Sequence, residues 1–142
     1  MNSRIYRKIV NPQGDQVSDI INGLNAFGLQ QTGGEAPDRV AVVSEGHGRD
    51  LVGGAIGYSI RGRFYLTQLW VAEKHRANGI GTELVSRMEA IARERGCHDV
   101  VVDTLSNQAV SFYEQLGYRV YMVNQNYIRG FDWSFLSKEV GQ

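Results

Sequence analysis

The stretch that decides the fold reads Arg76-Ala77-Asn78-Gly79-Ile80-Gly81-Thr82 and continues to Gly96. Two glycines one residue apart open it, an amphipathic run follows, and a third glycine closes it. Ile80, Leu84, Val85, Met88, Ile91 and Ala92 recur at helical spacing over polar Glu83, Arg87, Glu89 and Arg93. The end of the run, Arg93-Glu94-Arg95-Gly96, is a basic last turn with a glycine stop. Beyond it Val100-Val101-Val102 is a buried-strand run, and before it Phe64 to Val71 is another strand. Strand, helix and strand in that order predict a parallel βαβ unit, because parallel neighbours need a crossover.

Working outward, Arg61-Gly62-Arg63 is too short for anything but a hairpin, so Leu51 to Ile60 pairs antiparallel with Phe64 to Val71. Val40 to Ser44 is a short strand before the turn Glu45 to Asp50. Further upstream, Arg4 to Val10 alternates apolar and charged residues and reads as a first strand. Val17, Ile20, Ile21, Leu24 and Phe27 form one face of a helix that Gly28 is placed to stop. Leu29 to Pro37 reads as a mobile polar loop. Downstream, Ala109, Phe112, Tyr113 and Leu116 make a short helix stopping at Gly117, and Arg119 to Met122 and Trp133 to Leu136 are two more strands. The expected class is α+β: a mixed, mostly antiparallel sheet of six or seven strands with a central parallel crossover, flanked by helices. One domain spanning residues 1–142 is expected, with no internal repeat or linker.

Composition narrows the functions. Fifteen Lys+Arg balance fifteen Asp+Glu, whereas a nucleic-acid binder carries a basic excess. No apolar run exceeds about half a dozen residues, against the roughly 18 that a membrane span needs. Met1 to Lys8 lacks the apolar core of a signal peptide. The lone Cys97 excludes an internal disulfide and reads as a small buried hydrophobe. His47, His75 and His98 have no metal spacing, so no metal is expected. A cytoplasmic protein with neither nucleic acid nor membrane as partner is the expectation.

At Gly79 and Gly81, successive backbone N–H groups can converge on one point and the helix start adds its positive dipole end. Lys74, His75 and Arg76 lie beside them. The turn suits a phosphate or pyrophosphate; the bland alternative is a tight strand-to-helix turn that uses glycine for geometry alone. A P-loop is absent, since no Gly-x-x-x-x-Gly-Lys-Ser/Thr run exists. A dinucleotide-binding turn needs a third glycine where Leu84 stands, and its strand opens a parallel sheet, whereas this one follows two hairpins.

Two motifs then point to a family. Arg76-x-x-Gly79-x-Gly81 resembles the Gln/Arg-x-x-Gly-x-Gly/Ala signature of the GNAT superfamily of acetyl-CoA-dependent N-acetyltransferases. Ser106 to Tyr118 is similar to that superfamily's Asn-x-x-Ala-x-x-Leu/Phe-Tyr-x-x-Leu-Gly-Phe/Tyr stretch. The resemblance runs from about Leu51 to Tyr121. It implies transfer of acetyl from acetyl-CoA to a primary amine of a small molecule or peptide, by direct attack in a ternary complex. It implies that pantetheine pairs along Leu69, Trp70 and Val71, with the Leu69 N–H facing the thioester carbonyl. Arg76, Ala77, Asn78, Gly79, Ile80, Gly81 and Thr82 would hold the pyrophosphate, and Ser106, Asn107 and Phe112 would flank the arm. Tyr113 matches the tyrosine that protonates the departing thiolate.

The departures are specific. The motif's asparagine falls at Ser106, with Asn107 one step along, and either suits a helix cap. Where relatives carry a Glu or His base on the strand, this chain has Tyr65 and Thr67, leaving ordered water or a neutral amine as the route, with Asp103 and Glu73 as fallback carboxylates. A weakly catalytic acyl-CoA sensor on the same fold is the alternative that this absence supports. The acceptor side implied by the resemblance is Gly28 to Pro37 and Asn124 to Asp132, the latter a polar rim. Self-association into a homodimer stays open.

Overall fold

The computed structural model describes residues 3–31 and 33–141. The chain divides into two compact units, Met1–Ala36 and Pro37–Gln142.

In the first unit, helix α1 (Gly14–Gln31) is the regular element. It does not stop at Gly28. A mid-helix glycine costs only about 1 kcal/mol, and the chain turns instead at Gly33 and Gly34, whose φ values are 69° and 90°. The first part of the expected Leu29–Pro37 loop is therefore helix. Arg4 to Val10 is not a strand. Alternation alone does not make one: the residues find no partner ladder among the described strands.

The second unit is a six-stranded sheet in the order β1-β2-β3-β4-β6-β5. Its strands are β1 (Asp38–Glu45), β2 (Leu51–Ile60), β3 (Arg63–Val71), β4 (Asp99–Thr104), β5 (Arg119–Ile128) and β6 (Phe131–Glu139), with α2 (Ile80–Glu94) between β3 and β4 and α3 (Asn107–Gln115) between β4 and β5. Only β3 and β4 pair in parallel; every other ladder is antiparallel. The mixed sheet with one central crossover is as the sequence predicts.

The periodicity that marked α2 is the periodicity that buries it. Leu84, Val85, Met88 and Ala92 pack with Phe64 and Leu66 of β3, Val100 and Val102 of β4 and Leu136 of β6. Phe64, Met88, Val100 and Leu136 are fully buried, each such side chain contributing roughly 1.5–3 kcal/mol relative to exposure. The carboxylate of Glu89 is buried against this core and is satisfied there. Glu89 accepts from Tyr118 Oη at 2.9 Å and from Lys138 Nζ at 3.1 Å. Cys97 is buried, as its reading as a small hydrophobe requires.

The last hairpin is longer than expected, because β5 runs on through Asn124-Gln125-Asn126 to Ile128. Those polar residues look like a loop, yet side-chain hydrogen bonds hold them in the hairpin, with Asn126 in a left-handed conformation at φ 51°. The Asn126 N–H donates to Asp132 Oδ1 and the Gly130 N–H to Asn126 Oδ1, both at 2.9 Å. The ladder is irregular between Asn124 and Ile128, and the turn shrinks to Arg129 and Gly130.

Candidate active site

The site begins where β3 leaves β4. Their parallel ladder comprises Arg63 with Asp99, Phe64 with Val100 and Tyr65 with Val101, and then stops, although β3 continues to Val71 and β4 to Thr104. A β-bulge accounts for the parting. Against β2, Leu66 pairs with Gly57 and Gln68 with Ile56, so Thr67 is an extra residue. Its Oγ1 donates to the Ile56 carbonyl at 3.0 Å. The insertion shifts the alternation: Leu66 lies in the core and Leu69 and Val71 pack against it, although Leu66 and Leu69 differ by an odd number. A bulge bends its strand and increases the local twist, which carries the end of β3 away from β4. The result is a fork.

A cleft of about 610 Å³ lies along the outer arm of that fork. Of the residues singled out from the sequence, Leu69, Trp70, Val71, Arg76, Ala77, Gly79, Ile80, Gly81, Thr82, Ser106 and Phe112 line it. Asn78, Asn107 and Tyr113 are not part of its wall. Asn78 borders a separate cleft against β1, and Asn107 borders a third beside the β5–β6 hairpin. His75, Gln108 and Ala109 join the wall. The last two were legible as the first turn of α3, which presents Ala109 on the same side as Phe112.

The glycine turn gives the cleft its anion-binding end. Gly79 takes φ +80° as the N-cap of α2, a left-handed conformation that glycine adopts without strain, and no side chain caps this helix start. The N–H groups of the first turn of α2 face no capping group, and the dipole end lies with them. Gly81 sits where α2 meets α3, 3.4 Å from Phe112 Cζ measured from the position a Cβ would take, which is ordinary contact. Arg76 donates its Nε to the Val71 carbonyl at 3.0 Å, tying the end of β3 to the turn. The opposite wall is fixed by Ser106, whose Oγ caps α3 by accepting from the Ala109 N–H at 3.2 Å.

Tyr113 sits behind this wall. It is buried, with Phe112 and Tyr118 edge-on to its ring at centroid distances of 5.2 and 5.4 Å. Burial, and secondarily the Asp103 carboxylate, push its pKa up to about 12. It is therefore protonated at every physiological pH.

The sequence profile of the acetyltransferase (GNAT) family matches residues 17–118. The chain belongs to that family. The match extends further upstream than the two motifs do. This GNAT acyltransferase is 36% identical over 92 residues to the blasticidin-S acetyltransferase of Streptomyces morookaense, covering 64% of this chain and 68% of that one. Its fold superposes with a TM-score of 0.81 on a candidate acetyltransferase from Agrobacterium tumefaciens, at 25% identity and covering 98% of this chain and 99% of that one. An aminoglycoside 6′-N-acetyltransferase solved with coenzyme A shares the fold at 22% identity, with a TM-score of 0.65 and coverage of 90% and 91%. Among the described residues no helix is long and apolar enough to cross a membrane.

Proposed function

We propose that this acetyltransferase moves the acetyl group of acetyl-CoA to a primary amine of a small molecule or peptide, by direct attack in a ternary complex. The observation that carries the reading is the fork. Beyond Tyr65 the edge of β3 that would face β4 has no strand partner, so its peptide groups are open to an extended amide chain such as pantetheine. The uncapped start of α2, with Arg76 and His75 beside it, supplies the anion site that a pyrophosphate needs at one end of that chain. That coenzyme A is accommodated on this fold in the aminoglycoside enzyme agrees with the assignment. The relationship to a blasticidin-S acetyltransferase favours a small-molecule acceptor.

In this scheme Leu69, Trp70 and Val71 align the acyl arm, and the Leu69 N–H donates to the carbonyl oxygen as it gains charge. Such preorganised donors contribute up to a few kcal/mol to a tetrahedral transition state. Arg76 and the Gly79–Thr82 backbone hold the phosphates at the far end. Tyr113 supplies the proton that the sulfur takes up as the C–S bond breaks. Its raised pKa keeps the phenol protonated for that step.

The test is thiol release from acetyl-CoA with a panel of primary amines, with the products identified by their mass. Amine-dependent thiol release and an acetylated amine are expected. Binding of acetyl-CoA with no transfer to any amine would overturn the reading in favour of an acyl-CoA sensor.

A further inference from the structure

The transferase reading leaves open how the attacking amine is received and where its proton goes. β3 offers no carboxylate or imidazole at the fork. Tyr65 is a phenol stacked on Tyr58, with centroids 5.0 Å apart and rings 17° from parallel. The Thr67 hydroxyl is committed to the bulge through its bond to Ile56. On β4 the arrangement is different. Asp103 is the second residue beyond the last paired position, Val101, and by alternation shares its face, away from core residues Val100 and Val102. Phe135 is its register partner on β6.

Asp103 is exposed but held. Trp133 Nε1 donates to its Oδ2 at 2.8 Å, and Oδ1 has no hydrogen bond among the described residues. Trp133 is the middle ring of a ladder, 4.5 Å from Tyr127 and 4.6 Å from Phe135 between centroids. Tyr121 continues it at 6.3 Å from Phe135. The neighbouring carboxylate on this face, Asp99, is paired: Arg63 donates from Nε and Nη2 to its two oxygens at 3.0 and 2.8 Å. Asp103 has no ion-pair partner among the described residues, and its field reaches Tyr113 on the core side. An anchored carboxylate beside aromatic faces is the arrangement that binds an organic ammonium, through charge-assisted hydrogen bonds and cation–π attraction.

We propose that Asp103 is a catalytic residue that receives the acceptor as its ammonium, with Trp133 and Tyr127 as the aromatic wall, and that the substrate class is a cationic primary amine with an apolar or aromatic body. This rests on the transferase reading. One N–H proton of the ammonium passes to Asp103 and on to water. The neutral nitrogen then attacks the thioester carbon, the C–N bond forms and the C–S bond breaks. The sulfur takes a proton from Tyr113, which recovers one from the attacking nitrogen; the third N–H stays on the amide. The products are amide, free thiol and one proton in solution.

The test compares Asp103→Asn with the native protein, using 2-phenylethylamine, an ammonium at neutral pH, and phenylhydrazine, neutral there. The expected loss in kcat/KM is about 10- to 100-fold for phenylethylamine and under about threefold for phenylhydrazine, with the Kd for acetyl-CoA unchanged. Trp133→Phe keeps a ring but removes the Nε1–H, and is expected to fall between the native protein and Asp103→Asn on phenylethylamine. The Tyr113 phenol, followed by ultraviolet titration, should ionise at lower pH in Asp103→Asn because the nearby negative charge is gone. Equal losses for the two acceptors, or no loss, would overturn the role of Asp103 while leaving the transferase reading intact. No amine-dependent thiol release from the native protein would instead overturn the transferase reading, and this role with it.

Discussion

The central strands behave differently below and above their last shared pair. Below it, Phe64 and Val100 are fully buried and Arg63 is bonded in two places to Asp99. Above it, Leu66 and Val102 still reach the core, but Thr67, Trp70, Asp103 and Thr104 are exposed or half-buried, and the ladder is gone. A single extra residue, Thr67, separates the regimes. The lesson is that the lower half of the crossover contributes stability, while the upper half gives up pairing and so exposes peptide groups and the Asp103 carboxylate to ligands.

The largest test of this division is Tyr113→Phe, which keeps the ring against Phe112 and Tyr118 but removes the O–H. Turnover with saturating amine should fall by about 10²- to 10⁴-fold, the span of general acid catalysis, with little change in melting temperature. A comparable loss of stability would assign Tyr113 to the core rather than to the chemistry of the fork.

Phe64→Ala should do the reverse. Emptying a fully buried ring position costs about 3–5 kcal/mol, read as a lower denaturant midpoint, while the fraction that remains folded keeps its affinity for acetyl-CoA.

Alkaline pH sharpens the comparison further. The folded pKa of Tyr113 is raised from 10.0 to about 12, so below pH 10 both folded and unfolded chains carry the neutral phenol and stability is unaffected. Between pH 10 and about 12 the unfolded chain ionises first, and stability falls by at most about 2–3 kcal/mol from this group. Tyr118, raised by burial and by Glu89, acts in the same direction. Unfolding curves at pH 9 and pH 11.5 should converge by that amount in Tyr113→Phe.

The smallest effect is expected on β3 itself. Tyr65→Phe and Thr67→Ala should each reduce turnover by less than about tenfold, because neither side chain handles the proton. A loss of several hundredfold with acetyl-CoA binding retained would show that β3 supplies the base.

How much of this could be read from the sequence follows from which interactions are local. The crossover was legible because six apolar residues of α2 repeat at helical spacing and two glycines mark its start. The glycine end of the cleft, Gly79 to Thr82, was legible for the same reason, whereas Leu69 to Val71 entered only through the resemblance to the GNAT motifs. The bulge was not. It depends on how Ile56 and Gly57 pair across a hairpin, and nothing in the residues around Thr67 specifies an extra one. The hairpin at Asn126 failed similarly, because its polar residues are held in the hairpin by hydrogen bonds with Asp132 and Gly130. Asp103 was visible only as a carboxylate; its bond to Trp133 spans thirty positions. Arg4 to Val10 shows the opposite error, a local pattern with no partner.

The central claim is that the fork, and not another surface, takes the acyl donor. Backbone amide resonances followed while acetyl-CoA is titrated in test it directly. The shifts should concentrate at Leu69–Val71, Gly79–Thr82 and Ser106, and leave Arg63–Tyr65 and Asp99–Val101 near their starting positions. Shifts centred on Val42–Glu45 and Arg87, around the neighbouring cleft, with Leu69–Val71 unmoved, would contradict it.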